Sequence, residues 1–551
     1  MSIIKFSNGS ARRKVGFLGE IPSESRVAFS TIDYECIAFD MTRAPDLSVL
    51  WELDSLILIQ DIANPKGISG ELGIFAPLFL PRDGRIYILP AIDKEDSSAE
   101  RLLWQVTSAI HAHEIPNSGV NKEGRKRFEK WDEGPDLPAF GPFAHVFNLS
   151  LPYDWVQIAN TIRSNSASAA PPAPAPNIIA KKSNGEKIVL DDEATCLLQR
   201  AFDDCVSVDL VAVSNGLSGI GTYKTYIQLR DNLVGRSWPY VYFVKMGKRK
   251  TIATEYRKYE ANALDHVPYH LGPRLRRDRC ALGHKLGVIV TDYVHTAEPL
   301  RDCARDGRAG AAIGNLFSHT LRNWRDSAKE EDIDIRVHLA ETIEKDVPKH
   351  RNETIKKFGA TKHVEELRDL ILRNESKPTL VGILHNDLHA TNVLVRANDA
   401  IIIDFEKLKE SGPLLYDVAS LEGGLFVDGF IGDQRGGLEL LASIKSLYEP
   451  KAFDWKPSQF NISDRSAWFF ECVRLVRMHA REMELANRQY ARVLAAVLLK
   501  KSCNKEDFDE LDKKDKPAKG LTREQVRALA YVLAERILVS LTESATSKEA
   551  K

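Results

Sequence analysis

The stretch LHNDLHATNVLVRANDAIIIDFE, residues 384 to 406, says more about the fold and chemistry of this chain than any other. Two short apolar runs, residues 393–395 and 401–403, flank a polar turn, and this pattern predicts the two strands of a hairpin. Asn392 precedes the first strand and Asp404 follows the second. The hairpin would therefore bring the two polar side chains close together, which a metal site formed by them requires.

The pattern HNDLH-x-x-N followed by I-I-D-F-E resembles the phosphotransferase family of aminoglycoside phosphotransferases, choline kinases and related small-molecule kinases. The resemblance implies that Asp387 orients the acceptor and accepts its proton, and that Asn392 and Asp404 hold Mg²⁺ under the phosphates of ATP. Protein kinases usually carry H-R-D and D-F-G, so Asn386 and Glu406 make the pair most similar to choline kinase. A polar turn between two buried strands is the alternative, because turns favour Asp and Asn.

The composition is that of a soluble globular protein, with 43% apolar and 28% charged residues among 551. At roughly 100–200 residues per domain, this length suggests about three compact units or lobes. Lys and Arg (76) nearly balance Asp and Glu (77), so no net field favours nucleic acid or an anionic membrane. Local basic clusters are interpreted as solvated faces, and no nucleic-acid patch is predicted.

The seven cysteines are scattered without a C-x-x-C pair, which argues against a zinc site or a disulfide framework. The first residues lack an apolar signal region, and no apolar run approaches the ~18 residues of a membrane span. We therefore expect a cytoplasmic protein without a membrane segment.

Residues 1–163 are predicted to form an α/β domain with an open, mostly parallel sheet, because short apolar runs alternate with helix-like stretches. The predicted strands are residues 15–18, 36–39, 56–60 and 86–90, with a helix over Glu100 to His111.

The run from Leu53 to Asp61 is similar to the phosphoacceptor strand of response-regulator receiver domains. A receiver also needs an acidic pair after its first strand, and only Glu20 is found there. Asp61 is therefore interpreted as the end of a strand rather than a phosphate acceptor. We favour a receiver-like or flavodoxin-like module that binds a protein partner, and the lack of G-x-G-x-x-G argues against a dinucleotide site.

The segment SNSASAAPPAPAPN, residues 164–177, contains four prolines among small residues and predicts a semi-rigid spacer. A long surface loop is less favoured, since loops of this length are uncommon inside a domain. We place a linker at residues 164–184, a kinase-like N-lobe at 185–295 and a largely helical, α+β kinase-like C-lobe at 296–551.

The N-lobe begins with a glycine-rich turn whose exposed N–H groups would approach phosphates, and Gly216, Ser218 and Gly219 are its predicted nucleotide contacts. A hairpin turn also uses glycine, so the turn alone is weak evidence for a nucleotide site. The strand that follows it makes this prediction stronger. That strand ends in Lys245, which resembles the kinase lysine that pairs with the α and β phosphates.

The lysine of a kinase is positioned by a Glu from the next helix. Residues 251–264 are helical in character, and Glu255 is preferred over Glu260 as the partner of Lys245. The strand that starts at Leu286 resembles the hinge between kinase lobes, where the main chain from Asp292 to Val294 would contact adenine.

The C-lobe is rich in helix signals, including one long helix over residues 466–500 and a capping box at Thr522-x-x-Gln525. Asp417 lies in a segment similar to the family's Y-D-L-A and would brace the catalytic loop, although a helix N-cap explains it equally well. Four aromatic residues could cage a quaternary ammonium acceptor, but we interpret them as core residues. They are Trp455, Trp468, Phe469 and Phe470.

The predicted reaction is transfer of the γ-phosphoryl group of ATP to a hydroxyl acceptor that the sequence does not identify. Two alternatives stay open: a kinase for a protein or nucleic acid chosen by the N-terminal domain, and an ATP-binding scaffold without turnover. The same residues would also support nucleotidyl transfer. The architecture is similar to kinase-like proteins of bacterial conflict and regulatory systems.

Overall fold

The chain forms two compact units in the computed structural model. Unit 1 comprises Met1–Thr254 and Leu275–Tyr293, and unit 2 comprises Glu255–Arg274 and Val294–Lys551. The structure describes residues 13–18, 20–39, 53–61, 85–91, 143–146, 153–164, 176–202, 204–214, 221–230, 240–264, 266–282, 286–332, 339–340, 342–372, 378–453, 464–504 and 520–549.

The first sheet of unit 1 has five strands, all paired in parallel, in the order β2-β1-β3-β4-β5. Its elements are β1 (Arg13–Leu18), α1 (Ser23–Ser30), β2 (Tyr34–Phe39), β3 (Leu53–Asp61), β4 (Arg85–Ala91), β5 (Phe143–Val146) and α2 (Trp155–Ser164). The order 2-1-3-4-5 is that of flavodoxin-like doubly wound sheets. The predicted open, parallel sheet is thus observed, with Asp61 as the last residue of β3.

The core of this sheet is built from both helices and the central strands. Phe17 of β1 and Ile57 of β3 contact Phe29 of α1 and Ile158 of α2, and all four are at most 1% exposed. Apolar runs in central strands, such as residues 15–18 and 56–59, are typical of parallel sheets covered by helices. The predicted helix over residues 100–111 lies outside the described residues.

The second sheet of unit 1 has seven strands in the order β11-β12-β10-β9-β8-β6-β7. Its elements are β6 (Asn177–Lys181), β7 (Lys187–Ile188), α3 (Asp192–Ala201), β8 (Cys205–Ser214), β9 (Gly221–Leu229), β10 (Tyr240–Lys248), β11 (Ala281–Leu282) and β12 (Leu286–Asp292). The predicted linker therefore ends too late, because β6 lies within residues 164–184 and pairs with β8. Its short apolar run, residues 178–180, carries a strand signal that the neighbouring prolines obscured.

Unit 2 is mainly helical. The helix α4 (Arg249–Asn262) enters it from unit 1, and further helices follow: α5 (Leu300–Arg305), α6 (Gly310–Asn315), α7 (Arg322–Asp326), α8 (Lys349–Lys357), α9 (Val364–Leu372), α10 (Leu415–Gly429), α11 (Gly437–Ile444), α12 (Ala467–Met483), α13 (Gln489–Cys503) and α14 (Arg523–Glu549). Two three-stranded sheets are formed by β13 (Glu298–Pro299), β14 (Lys329–Glu331), β15 (Thr379–Leu384), β16 (Val393–Arg396), β17 (Asp399–Ile402) and β18 (Lys409–Pro413). Across the described ranges, no helix has the length and apolar character that crossing a membrane requires.

The single long helix expected over residues 466–500 is wrong, because the chain forms α12 and α13 with a break between them. Arg488 adopts a left-handed conformation, with φ of 60°. The Glu484 side chain accepts a hydrogen bond from the backbone N–H of Tyr490 at 2.8 Å. This bond satisfies one of the N–H groups at the start of α13 that lack a partner within the helix.

Candidate active site

The predicted hairpin is present in unit 2 as β16 and β17, with Val393 opposite Ile402. The backbone N–H of Ile403 donates to the carbonyl oxygen of Asn392 at 3.0 Å, which extends the pairing by one residue. Asn392 and Asp404 therefore lie at the same end of the hairpin, as the sequence indicated.

The loop between β15 and β16, residues 385–392, is held by Asp417. One carboxylate oxygen accepts the backbone N–H of His385 at 2.7 Å, and the other accepts that of Asn386 at 2.8 Å. Asp417 is the third residue of α10, and the residue before this helix is Leu414, so the N-cap account is wrong. Burial raises the pKa of Asp417 to about 6, although the charge of His385 and both hydrogen bonds lower it.

A second set of contacts ties this loop to residues 403–407. His385 is fully buried, and its Nε2 lies 2.9 Å from the carbonyl oxygen of Ile403. The Asn386 side chain donates to the carbonyl oxygen of Lys407 at 3.1 Å. Asn386 and Asp404 have φ angles of 61° and 67°, a region that Asn and Asp adopt more readily than other non-glycine residues.

Three carboxylates meet where the D-F-E sequence ends. One oxygen each of Glu255, Asp404 and Glu406 lie within 4.8 Å of one another. Glu255 comes from α4, and the same helix anchors the segment through Lys258, which donates to the carbonyl oxygen of Glu406 at 2.6 Å. Tyr259, one turn after Glu255, packs edge-on against Phe405 with ring centroids 4.9 Å apart.

This arrangement suits a hard divalent cation, because Mg²⁺ binds through oxygen atoms and one or two carboxylates. The side-chain nitrogen of Asn392 donates to the carbonyl oxygen of Asp387 at 3.0 Å, so its amide oxygen is the atom left for a cation. Of the two predicted candidates on α4, Glu255 is the one in the carboxylate group. The Glu260 carboxylate instead lies near the Tyr256 hydroxyl, at 3.5 Å.

Asp387 is kept ionised by its surroundings. Burial would raise the pKa of Asp387, but the charges of His389, Lys407 and Lys501 outweigh it and hold the pKa at about 2. Burial also lowers the pKa of His389, so at neutral pH the lysines are the relevant cations. The nearest is Lys407, whose Nζ lies 3.1 Å from Asp387 Oδ2.

The predicted nucleotide residues of the N-lobe are described only in part. Lys245 is 7% exposed and lies in the central strand β10, between Thr222 of β9 and Ile289 of β12. Asp292 ends β12, and its side chain forms an ion pair with Arg276 at 2.6 Å. The predicted contact between the main chain of Asp292 and adenine stays a prediction.

The other predicted nucleotide contacts stay predictions. Val294 follows β12 as part of unit 2. Gly216, Ser218 and Gly219 lie outside the described residues.

Several residues around Asp387 were not identified from the sequence. Lys407, Lys500 and Lys501 carry positive charge that acts on Asp387, and Asp428 lies beside His389, with 3.7 Å between Oδ2 and Nδ1. The sequence could have indicated Lys407 as a site residue, because it directly follows the D-F-E motif. Lysines near the end of α13 have no such signal.

The suggested aromatic cage is not formed by the residues that can be described. Phe469 and Phe470 are 0% and 4% exposed, and Phe469 packs on Phe426 and Phe430 in the core. Trp468 also packs on Phe430. Trp455 lies outside the described residues.

A family model described as "Phosphotransferase enzyme family" matches residues 242–444, from β10 to the end of α11. A search of curated proteins found no match. Similar solved structures include aminoglycoside phosphotransferase APH(4)-Ia, at 12% identity over 60% of this chain and 94% of that one, with a TM-score of 0.34.

Two further solved structures are similar. Amicoumacin kinase hAmiN, solved in complex with AMP-PNP, Ca²⁺ and Ami, is 11% identical over 60% of this chain and 88% of that one, with a TM-score of 0.30. Aminoglycoside phosphotransferase APH(3'')-Id from Streptomyces rimosus is 15% identical over 52% of this chain and 99% of that one, with a TM-score of 0.29.

Proposed function

Because residues 242–444 match the model of the phosphotransferase enzyme family, we propose that the protein transfers the γ-phosphoryl group of ATP to a hydroxyl of a small-molecule acceptor, using Mg²⁺. The observation that carries the proposal is the set of hydrogen bonds that ties the loop of residues 385–392 to residues 403–407. The Asp417 carboxylate holds residues 385 and 386, and Asn386 holds Lys407, so Asp387 and Asp404 stand in one hydrogen-bonded framework.

Asp387 orients the acceptor in this proposal. A carboxylate with a pKa of about 2 is ionised at neutral pH and accepts a hydrogen bond from the attacking hydroxyl. It is a weak base, which suits a loose transition state in which orientation of the nucleophile contributes more than early proton removal.

Asp404 and Asn392 are the proposed Mg²⁺ ligands, with Glu255 and Glu406 as neighbouring carboxylates. When bound, the ion would neutralise charge on the phosphates of ATP. The resemblance assigns Lys245 to the α and β phosphates, and assigns the turn with Gly216, Ser218 and Gly219 and the main chain of Asp292 and Val294 to the nucleotide.

The test is transfer of label from γ-labelled ATP by the full chain, with Mg²⁺, to a panel of small alcohols, aminoglycosides, proteins and nucleic acids. We expect Asp387→Asn to lower the rate roughly 10²–10⁴-fold, as loss of a catalytic acid or base does. Asp369→Asn, the same change on the exposed face of α9, is the matched control. Equal rates for both variants would show that Asp387 is not catalytic.

The same assay separates the rival functions. Label on proteins or nucleic acids would favour targeting by the N-terminal domain, as in conflict or regulatory systems. When the assay is repeated with α-labelled ATP, label on the acceptor would indicate nucleotidyl transfer. ATP that binds without turnover would favour a scaffold.

A further inference from the structure

Lys407 forms an ion pair with Asp387, which the proposed function places at the acceptor hydroxyl. Lys500 and Lys501 pack on α10, the helix whose Asp417 holds the same loop. Lys407 Nζ lies 3.1 Å from Asp387 Oδ2, and the Lys407 side chain is 56% exposed. Lys500 and Lys501 come from the last turn of α13. The charges of Lys407 and Lys501 lower the pKa of Asp387. The charge of Asp387 in turn opposes the effect of burial, which lowers the pKa of Lys500 and Lys501.

The two lysines of α13 are fixed by packing. Lys500 Nζ donates to the hydroxyl of Tyr416 at 2.6 Å. The stem of Lys501 passes over Gly423 of α10, where a Cβ would lie 3.4 Å from Lys501 Cε. Both lysines are partly buried in a helical framework rather than extended into solvent.

Holding these charges together is unfavourable for the protein alone. Burial and the charges of Lys501, Lys407 and Lys409 together lower the pKa of Lys500 to about 8, although the charge of Asp387 opposes them. Burial also lowers the pKa of Lys501, although Asp428 and Asp387 oppose this. The three ammonium groups thus outnumber the two carboxylates that act on them, Asp387 and Asp428. Such an excess of positive charge beside the reacting position favours an anion.

Resting on the proposed function, we propose that the acceptor is a small hydroxyl compound that carries a phosphate monoester, bound by Lys407, Lys500 and Lys501. A phosphate monoester has a charge of about −1.5 to −2 at pH 7 and three acceptor oxygens. Lysine binds phosphate as a point charge, and three ammonium groups match the charge and the three oxygens of a phosphate better than the single charge of a carboxylate. A cationic acceptor would meet like charges, which costs several kcal/mol.

The chemical step is a single displacement. The acceptor hydroxyl oxygen forms a bond to the γ phosphorus of ATP as the bond between that phosphorus and the β,γ-bridging oxygen breaks. ADP leaves with the electron pair. The hydroxyl proton passes to Asp387 and then to solvent, and the product carries two phosphate groups.

The test uses the full chain with Mg²⁺ and γ-labelled ATP, and an ultrafiltered cell extract as the source of small acceptors. Half of the extract is first treated with bead-bound phosphatase, which is removed before the labelled ATP is added. We expect label transfer in untreated extract only. Equal transfer in both halves would overturn the phosphorylated acceptor but leave the kinase, whereas no transfer in either would overturn the proposed function and this inference with it.

The lysines are tested on the labelled acceptor after its isolation. Lys500→Gln and Lys407→Gln should each raise the KM of the acceptor about ten-fold or more, because each removes a charge-assisted hydrogen bond to the phosphate. Lys500→Arg should recover most of the loss, and Lys445→Gln, at an exposed lysine after α11, should have no effect. A rise in the KM of ATP alone would assign the lysines to the nucleotide and overturn the proposal.

Discussion

Asp417 shows how one buried carboxylate controls the catalytic loop. It gives both oxygens to backbone N–H groups of the loop, and it carries a charge inside the protein. Asp417→Asn removes the charge but leaves one N–H facing an amide nitrogen instead of an acceptor. We expect the rate of phosphoryl transfer to fall roughly 10–100-fold, as for other residues that orient a catalytic group.

Stability should move in the opposite direction from activity. The pKa of Asp417 is raised to about 6 in the folded chain, so above that pH the folded state holds a charge that burial disfavours. The Asn variant should therefore be at least as stable as the wild type at pH 7–8 in urea denaturation. Wild-type activity should decline as pH falls through about 6, a step that the variant should lack. A variant that loses both activity and stability would contradict this role.

At the scale of elements, α10 contacts the catalytic loop directly through glycine. A Cβ at Gly424 would lie 2.7 Å from His389 Cβ and 3.2 Å from the backbone nitrogen of Ala390. Because the loop backbone cannot rotate away as a side chain could, Gly424→Ala should displace residues 389 and 390. We expect a loss of about 1–3 kcal/mol in stability, as for other overpacked sites, together with a large loss of activity.

The control for Gly424 is Gly314 of α6, where an added Cβ meets no atom within 4 Å. Gly314→Ala should stabilise the chain slightly, by ~0.4–1 kcal/mol, because alanine has the better helix propensity and restricts the unfolded chain. Thermal unfolding measures the stability of both variants, and label transfer measures their activity. Similar behaviour of the two variants would contradict the contact with the loop.

Elements defined by local signals could be predicted from the sequence. The hairpin of β16 and β17 follows from nearby residues. So does the capping box at Thr522, where the N–H of Gln525 donates to Thr522 Oγ1 at 3.2 Å. The break at Arg488 could not, because a hydrophobic pattern does not encode a single left-handed residue.

The candidate site was predictable where a motif carries it, as for Asp387, Asn392 and Asp404. The carboxylate group was not, because Glu255 lies far from Glu406 in sequence and is brought to it by the packing of Tyr259 on Phe405. The lysines of α13 were hidden for a related reason. A lysine in a helix is by default a solvated charge, and only the contact with Tyr416 distinguishes Lys500.

At the scale of the whole of unit 2, a buried ion pair joins three long helices. Arg477 of α12 contacts both carboxylate oxygens of Glu422 of α10, at 2.6 and 3.0 Å, and Tyr490 of α13 donates to the same carboxylate at 2.7 Å. Arg477 also donates to the carbonyl oxygen of Leu447. The pair is thus fully engaged, which is the condition under which buried charges are tolerated.

Arg477→Met should destabilise the chain by about 3–5 kcal/mol, because it leaves the Glu422 charge buried without compensation. Adding Glu422→Gln should recover much of the loss, since the amide keeps an acceptor for Tyr490 and removes the charge. Arg474→Met, on the exposed side of α12 and paired with exposed Glu471, should cost no more than ~1 kcal/mol. Urea denaturation of the full chain measures all three, and equal losses for the two arginine variants would show that this pair does not hold the helices of unit 2 together.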